Sequence, residues 1–272
     1  MKNLDKKVVL VTGAASGIGK ATALAFAREG CRLLLVDIDE VNVRSTAMEL
    51  NRAGGEARFY VADLREASSV EELHEAVRGE IGACDVLVNC AGVAIVGCAE
   101  EIPLETWDRV LGLNLLGYIN VIHHFLPDMV LARSGHLVNV ASGAGLFAVP
   151  YQAPYVASKF AVVGLSETLR SEMARYGIGV SVVCPGAIRT PILESVECLG
   201  FGDSVKKGAY LIAASPDKMA AAIISGVKRN KAVIAHPFYI RVLFAIKRLS
   251  PRAADQAGKA FARVFYWQHK VG

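Results

Sequence analysis

A cluster of glycines between an apolar run and a helical segment restricts this chain more than any other feature. The run VVLVTG (residues 8–13) is typical of a short buried strand, and the segment after it, AASGIGK, opens a stretch with helical periodicity. Gly13, Gly17 and Gly19 have the spacing G-x-x-x-G-x-G. Glycines at such a turn let the backbone approach a phosphate that binds the helix N-terminus. We therefore expect a strand–turn–helix unit that holds a pyrophosphate.

The rest of the chain alternates between short apolar runs and helical segments. Six further runs cover residues 33–37, 57–63, 85–92, 136–142, 180–186 and 231–236, and helical segments cover about 18–30, 40–53, 67–80, 104–131, 154–176 and 216–229. Near-continuous apolar runs are typical of strands buried on both faces, and the alternation favours parallel strands. The pattern predicts an α/β fold, with a single Rossmann-type doubly wound sheet of about seven parallel strands and helices on both faces.

One carboxylate follows the second predicted strand, where the adenosine ribose of a dinucleotide would lie. Asp37 ends the run LLLVD, eighteen residues after Gly19. An acid there accepts hydrogen bonds from both ribose hydroxyls and repels a 2′-phosphate. Ser16 and Ile38 stand beside these two motifs and supply no cation for such a phosphate. The sequence therefore predicts NAD in preference to NADP, although an acid at a strand end can also serve a turn.

Two tyrosines and one lysine lie close together in YQAPYVASKF (151–160). Pro154 suits the first turn of a helix, so Tyr155 and Lys159 share a helix face while Tyr151 precedes the helix. A free phenol has a pKa near ~10, and a nearby ammonium or other positive charge favours the phenolate and lowers that pKa. Tyr155 is therefore the candidate acid/base, and Lys159 is expected to lower its pKa. Tyr151 is expected to line the pocket or to pack.

Six motifs in this order resemble the short-chain dehydrogenase/reductase family in its standard-length branch. They are the glycine spacing at residues 13–19, Asn89-Cys90-Ala91-Gly92, Asn114 within LGLNLLG, Ser142 thirteen residues before Tyr155, the Tyr155-x-x-x-Lys159 pair, and Pro185-Gly186 followed by Thr190. Cys90 departs from the family pattern, which has a second asparagine there. The resemblance covers about residues 5–224 and is weaker in the tail.

The resemblance implies a catalytic tetrad and a cofactor site. Tyr155 would exchange the proton, Ser142 would hold the substrate oxygen, Lys159 would bind the nicotinamide ribose, and Asn114 would hold a water that links Lys159 to solvent. Cofactor contacts are expected at Gly13, Ser16, Gly17, Ile18, Gly19, Asp37, Asp63, Leu64, Asn89, Ala91, Gly92, Tyr155, Lys159, Pro185, Gly186, Ile188 and Thr190. Asp63 could instead cap the next helix, and Ser142 could cap a strand end.

Function is therefore expected to be the NAD-dependent interconversion of a secondary alcohol and a ketone. The segments 93–103 and 192–215 offer apolar residues and should define the substrate, which favours a lipophilic one. The family resemblance implies a homodimer or homotetramer, with Phe160, Val163 and Leu169 as candidates for the contact or for the core. Two alternatives with little turnover remain, namely an NAD-binding regulatory protein, which would need a broken tetrad, and a membrane-surface protein that acts through its basic, aromatic tail.

Composition indicates the cellular compartment and the kinds of partner to expect for this chain. Its six cysteines form no CxxC pair and no zinc-like spacing with histidine, so we expect free thiols, a reducing compartment and no metal site. The stretch MKNLDKKVVLVTG has only a short apolar run, and no run of eighteen apolar residues occurs. We expect a cytoplasmic protein with no nucleic acid as a partner, and peripheral contact with a membrane is left open.

The tail differs in charge from the rest of the chain. From residue 225 onward there are ten Lys/Arg and one acid, which gives a net charge of +9. Residues 1–236 are expected to form the cofactor-binding and catalytic domain, and residues 237–272 a basic, aromatic extension of two helices divided at Pro251 and packed on that domain. The extension could cover the substrate cleft, pack on a neighbouring subunit, or lie on anionic lipid as an amphipathic helix does.

Overall fold

The computed structural model describes residues 1–202 and 204–270, and within them seven parallel strands form one central sheet. These strands are β1 (Val8–Thr12), β2 (Arg32–Asp37), β3 (Glu56–Val61), β4 (Val86–Asn89), β6 (Gly135–Val140), β7 (Ile178–Pro185) and β9 (Val233–His236). Their order is β3-β2-β1-β4-β6-β7-β9. The order reverses between β1 and β4, and sheets of this kind bind ligands at the carboxyl ends of the strands beside such a reversal. The predicted doubly wound sheet is confirmed.

Helices connect the strands on both faces of the sheet. They are α1 (Gly17–Arg28), α2 (Glu40–Arg52), α3 (Ala67–Glu80), α4 (Leu104–Leu111), α5 (Gly117–Ala132), α6 (Ala153–Met173), α7 (Pro191–Ser195), α8 (Ser204–Leu211), α9 (Pro216–Lys228), α10 (Phe238–Leu249) and α11 (Pro251–His269). One apolar cluster joins the sheet to α1, α2 and α9, and a second joins it to α3, α5 and α6. Alternate strand residues, such as Val9 and Leu10, face these two clusters, which explains why the runs are apolar throughout.

The helical segment predicted at 104–131 contains an irregular turn. A π-helical turn, Gly112–Leu116, separates α4 from α5 and has Asn114 at its centre. The stretch Leu104–Ala132 is long and apolar enough to cross a membrane. Core helices of soluble proteins often have the same length and composition, so this is weak evidence for a membrane span. Of its most apolar 18 residues, 33% are buried in the fold. Val121, Phe125 and Met129 pack their side chains against the sheet, as in a core helix.

Two segments expected to define the substrate are joined by a second, small sheet. The two-residue strands β5 (Ile95–Val96) and β8 (Glu197–Cys198) pair in parallel. An ion pair between Arg109 of α4 and Glu197 adds a second link. The sequence did not predict these strands, because two residues carry no periodicity. The pairing brings residues that are one hundred positions apart to the same side of the carboxyl edge.

The tail forms two helices, α10 and α11, that meet at Pro251. Ser250 caps α11 through its hydroxyl, which accepts from the backbone N–H of Ala253. Ile240 of α10 is buried with Tyr118 and Leu146, and Phe265 of α11 packs against Tyr151. Both helices therefore contact the part of the chain that lies beside the predicted catalytic residues.

Candidate active site

The glycine turn leaves the first turn of α1 open toward the carboxyl edge of the sheet. Gly13 and Gly17 have φ of +67° and +57°, and a Cβ on Gly13 would lie 2.8 Å from the Ala91 backbone. Side chains rarely adopt this left-handed conformation, so glycine is required at both positions. Ser16 precedes α1 without capping it, and no acid stands in its first turn. The N–H groups of Gly17, Ile18 and Gly19 thus form a site suited to the pyrophosphate of a dinucleotide.

Asp37 lies beside this turn and helps to shape it. One carboxylate oxygen accepts from the backbone N–H of Ala15 at 3.0 Å, and the other accepts from that of Asp39 at 3.1 Å. Asp37 has no ion-pair partner among the described residues, and the next side chain, Ile38, is 63% exposed. Within the described part of the chain, the structure therefore places an acceptor with no neighbouring cation at the end of the second strand.

The Asn89-Cys90-Ala91-Gly92 motif is held by two buried polar side chains that the sequence analysis did not single out. Thr12 accepts through its hydroxyl from the backbone N–H groups of Cys90 and Ala91, at 3.0 and 3.3 Å. The amide of Asn89 donates to Asn139 at 2.9 Å. Asn89 is fully buried, so the cofactor contact expected there is not open to solvent in the chain alone. A threonine ending the otherwise apolar run VVLVT was the signal that could have identified Thr12.

Asn114 is fully buried in the π-helical turn and fixes the segment that follows Gly92. Its side-chain oxygen accepts from the backbone N–H of Val93, and its amide nitrogen donates to the Val93 carbonyl, both at 2.9 Å. The same nitrogen lies 3.2 Å from the Ser158 hydroxyl. These bonds use both N–H donors of the Asn114 amide and one of the two lone pairs on its oxygen, so a water relay of the kind the family resemblance implies would use the second lone pair or the backbone of the π-helical turn.

Lys159 lies beneath the candidate acid/base, with its ammonium in the protein interior. The side chain is 4% exposed, and Nζ donates to the Val140 carbonyl at 2.9 Å. Burial lowers the pKa of Lys159 to about 8. Tyr118, which the sequence analysis missed, donates through its hydroxyl to the same carbonyl, and its ring lies 5.4 Å from Nζ.

Tyr155 and Ser142 form the part of the site that faces the substrate side. Burial raises the pKa of Tyr155, and a hydrogen bond with the Ser142 hydroxyl lowers it in part. Ser142 also accepts from the backbone N–H of Ala144 at 3.1 Å, so it caps the turn after β6, the second role foreseen for it. Nζ of Lys159 is 5.7 Å from the centre of the Tyr155 ring. In the chain alone, burial therefore outweighs the lowering of the Tyr155 pKa that was expected from Lys159, and the net shift is upward.

The Pro185-Gly186 motif is covered by the tail. Tyr239 of α10 accepts through its hydroxyl from the backbone N–H of Ala187 at 3.2 Å, and a Cβ on Gly186 would lie 2.3 Å from that oxygen. Ile188 is buried, and so is Thr190, whose hydroxyl donates to the Ile188 carbonyl at 3.3 Å. The Thr190 side chain also packs beside Gly17, so the segment that follows β7 lies next to the glycine turn that precedes α1.

Asp63 and Leu64 lie at the far end of the predicted cofactor site. Asp63 does not cap α3, because Glu66 occupies the N-cap position and makes no side-chain cap. The Asp63 carboxylate pairs with Arg65 at 2.5 Å, and this hydrogen bond holds its pKa below the usual range. Leu64 is buried, and its carbonyl accepts from Asn120 at 2.9 Å. An adenine contact by Asp63 would therefore share the carboxylate with Arg65.

Apolar and aromatic side chains surround the substrate side of Tyr155. Tyr155 packs in one cluster with Val93, Ile95, Trp107 and Leu199. A neighbouring cluster contains Val96, Cys98, Tyr151, Phe201 and Phe265. Tyr151, for which the sequence left pocket lining or packing open, stacks on Phe265 with ring centres 5.4 Å apart. The polar groups of Ser142, Tyr155 and Lys159 are thus bordered by apolar side chains on the substrate side.

The sequence of this chain is similar to one protein-family model and to several characterised or named proteins. A family model described as short chain dehydrogenase matches residues 7–198. A Mycobacterium tuberculosis protein named "Probable oxidoreductase EphD" is 39% identical over 259 residues, which cover 90% of this chain and 43% of EphD. The chain thus spans less than half the length of that relative. The rat protein 17-beta-hydroxysteroid dehydrogenase 13 is 31% identical, with 94% of this chain and 83% of the relative covered.

Solved structures agree with the sequence relatives. A short-chain dehydrogenase/reductase from Burkholderia phymatum, crystallised with NAD, superimposes with a TM-score of 0.83 at 29% identity. The match covers 92% of this chain and 96% of that one. The sheet order, the glycine turn, the Ser142–Tyr155–Lys159 arrangement and these matches agree, and the chain therefore belongs to the short-chain dehydrogenase/reductase family of oxidoreductases.

Proposed function

We propose that this chain is an NAD-dependent oxidoreductase that interconverts a secondary alcohol and a ketone with apolar substituents. The observation that carries the proposal is the position of the Tyr155 phenol, which is near enough to the Ser142 hydroxyl for that group to lower its pKa and has the Lys159 ammonium 5.7 Å from its ring centre. Such a phenol can pass a proton to or from a substrate oxygen in the transition state. The intact set of Asn114, Ser142, Tyr155 and Lys159 argues against a silent regulator.

The proton steps follow from the side chains. In the oxidative direction, Tyr155 as phenolate accepts the proton of the substrate hydroxyl, and in the reductive direction its O–H donates to the carbonyl oxygen. The nicotinamide ring supplies, when bound, the acceptor or donor of the hydride at the carbinol carbon. Ser142 accepts from the backbone N–H of Ala144, and its one O–H, which acts on the Tyr155 oxygen in the chain alone, would turn to the substrate oxygen beside the phenol.

Lys159 supports these steps as a cation. With a pKa of about 8 it remains mostly protonated at neutral pH, so its charge stabilises the phenolate once this forms. One of its three N–H donors is used by the Val140 carbonyl, which leaves two for the nicotinamide ribose and for water. The hydrogen bond to the Val140 carbonyl holds the ammonium near the Tyr155 ring. Lys159 can therefore stabilise the phenolate electrostatically without direct contact with the substrate.

The choice of NAD rests on Asp37. Its carboxylate has no ion-pair partner among the described residues and stands next to the exposed Ile38 instead of a cation. Two ribose hydroxyls can donate to this carboxylate, whereas a 2′-phosphate would meet an uncompensated like charge. The solved relative that was crystallised with NAD is consistent with this preference.

An apolar substrate is favoured by the walls of the cleft. The two clusters around Tyr155 are formed by aliphatic and aromatic side chains, and they would leave buried hydroxyl groups of a polyol without partners. The name of the hydroxysteroid dehydrogenase relative points to an apolar alcohol as the substrate of that protein. For this chain we favour a secondary alcohol on a ring or chain that is mostly hydrocarbon.

Self-association is the second part of the proposal. Leu116 and Ile119, on the π-helical turn and α5, are exposed apolar residues on a helix whose other face packs on the sheet. Val163 is buried in the core, Leu169 packs against the α3–α5–α6 cluster, and Phe160 carries Lys247 over its ring. Phe160 is the only one of these three residues that is classed as exposed, and the Lys247 side chain lies over its ring, so α5 is the stronger candidate for a contact between two copies.

The experiment that tests the reaction is a cofactor-coupled assay on a substrate panel. Absorbance of the reduced cofactor is followed with NAD and NADP against linear, cyclic and polycyclic secondary alcohols, with polyols of matched size as controls. We expect turnover with NAD that increases with the apolar area of the substrate. Binding of NAD without turnover of any panel member would favour the regulatory alternative, and a preference for polyols would overturn the substrate class.

A further inference from the structure

Each of the tail helices α10 and α11 has an inner face that packs on the catalytic domain and an outer face that is exposed to solvent. Lys247 donates to the Leu146 carbonyl at 2.8 Å, and Tyr151 donates to the Ala262 carbonyl at 2.9 Å. Near the end of α11, Lys270 pairs with Glu101 at 2.5 Å. These contacts hold both helices on the body of the protein, so their outer faces have a defined orientation.

The outer face is apolar to an unusual degree for an exposed helix surface. Val242, Ile246 and Leu249 follow the spacing i, i+4, i+7 on α10, and Leu249 is 87% exposed. On α11, Val264 and Trp267 are 56% and 85% exposed. We call these five residues the outer patch. Exposed apolar side chains grouped on one element in this way mark an interaction surface more often than isolated ones do.

A basic flank runs along α11 beside the outer patch. Arg252, Lys259 and Arg263 follow the spacing i, i+7, i+11 and are exposed. Lys259 pairs with Asp255, whereas Arg252 and Arg263 have no ion pair among the described residues. Residues 237–272 contain seven Lys/Arg and one acid, while residues 1–236 contain 23 bases and 25 acids. The positive charge of the chain is therefore concentrated on the element that also carries the outer patch.

We propose that the outer patch and the basic flank dock this protein on a bilayer rich in anionic lipid. Trp267, Val264 and Leu249 would enter the interfacial region, and the basic flank would contact lipid phosphates. Interfacial helices combine these features, namely an aromatic and aliphatic face, a Lys/Arg-rich flank and an orientation parallel to the membrane. The protein would then lie on the membrane surface with α10 and α11 between the lipid and the catalytic residues.

A second copy of the chain fits the same surface less well. A symmetric contact would bring the basic flanks of two copies toward each other, and the tail has only Asp255 to compensate them. An anionic bilayer supplies both the apolar layer and the negative charge. This proposal concerns binding alone, so it does not depend on the proposed reaction.

Vesicle co-sedimentation of the full chain tests the proposal. Vesicles of phosphatidylcholine alone and vesicles with roughly one third phosphatidylglycerol are compared at about 0.05 M and about 0.5 M salt. We expect binding to the anionic vesicles at low salt that weakens at least about tenfold at high salt. The pair Arg252→Glu and Arg263→Glu should weaken binding to a similar extent. The matched pair Arg52→Glu and Arg78→Glu, which changes the exposed ends of α2 and α3 by the same charge, should bind as the parent does.

Tryptophan fluorescence gives a second readout that does not depend on charge. Trp107 and Trp267 are the two tryptophans of the chain, so Trp107→Phe leaves Trp267 as the single emitter. Anionic vesicles should shift its emission to the blue, and brominated lipid should quench it. Trp267→Ser should reduce vesicle binding, whereas Val41→Ser, an exposed apolar control on α2, should not.

Three outcomes would overturn the proposal. One is the absence of vesicle binding under all conditions, and another is equal loss of binding in the two charge-reversed pairs. The third is a doubled mass in light scattering that Leu249→Ser and Trp267→Ser abolish without any vesicle binding, because the surface would then belong to a second copy of the chain.

Discussion

The hydroxyl of Tyr151 donates a 2.9 Å hydrogen bond to the Ala262 carbonyl, which ties the residue four positions before Tyr155 to the last helix of the chain. The same ring stacks on Phe265 at 5.4 Å. Tyr151 is therefore one of the residues through which the tail contacts the segment that leads into the helix of Tyr155. A change in the tail can thus alter the substrate side of the site without altering the tetrad.

Tyr151→Phe should loosen this connection. Loss of one hydrogen bond to a backbone carbonyl should lower the free energy of unfolding by roughly 0.5–1.5 kcal/mol. The Michaelis constant for an apolar substrate should rise, with kcat nearly unchanged, because the phenol at position 155 is not affected. Denaturant unfolding and steady-state kinetics measure both effects. A large loss of kcat with an unchanged Michaelis constant would instead assign chemistry to Tyr151.

Ser142→Ala should move the pH profile of alcohol oxidation toward higher pH. The hydrogen bond with Ser142 lowers the pKa of Tyr155, so its removal lets burial raise that pKa further. Oxidation needs the phenolate, so the rising limb of kcat/KM should shift to higher pH, together with a loss of rate at neutral pH. The matched change Ser171→Ala, at an exposed position of α6, should leave the profile in place. A Ser142→Ala profile that superimposes on the parent profile would contradict the assignment.

Lys159→Met should change how stability depends on pH. The pKa of Lys159 is about 8 in the fold and near 10.5 in the unfolded chain, so the unfolded state binds more protons between these values. The buried charge costs about 3 kcal/mol below pH 8, and this cost is relieved as pH rises from about 8 to about 10.5. The Val140 hydrogen bond offsets part of it.

Urea unfolding of the parent and of Lys159→Met at pH 7 and pH 10 tests this linkage. The parent should gain stability relative to the variant as pH rises, with the methionine removing the charge at similar volume. The variant should also lose most of its turnover. Parallel pH dependence in the two proteins would show that Lys159 is not buried as a cation.

Cofactor preference should respond to Asp37 and Ile38. In the unmodified chain we expect NADH to bind at least about tenfold more tightly than NADPH, because of the uncompensated carboxylate. Asp37→Ala combined with Ile38→Arg should reverse this preference by removing the acid and adding a cation. Dissociation constants from cofactor fluorescence measure it. Tighter binding of NADPH by the unmodified chain would overturn the choice of NAD.

The parts predicted from sequence are those set by local pattern. The seven apolar runs correspond to the seven strands, because strands buried on both faces leave a continuous signal. The position of Tyr155 one turn before Lys159 follows from helical spacing after Pro154. These features depend on residues that are close in sequence.

The parts not predicted depend on contacts between distant segments. Tyr239 reaches Gly186 from fifty-three positions further along the chain, and Cys198 pairs with Val96 through a strand of two residues. The net upward shift of the Tyr155 pKa was not predicted for the same reason, because burial depends on everything packed around the phenol. The π-helical turn at Asn114 also left no sign in the periodicity.

The most direct test of the account is the turnover of Tyr155→Phe on the best alcohol of the panel, measured together with its affinity for NADH. Removing the hydroxyl removes the acid/base while the ring keeps its packing against Val93 and Leu199. We predict that kcat falls by roughly 10²–10⁴-fold while the NADH dissociation constant stays close to that of the parent. Tyr151→Phe, measured in parallel, should keep its kcat. Near-parental turnover by Tyr155→Phe would contradict the central claim that this phenol carries the proton.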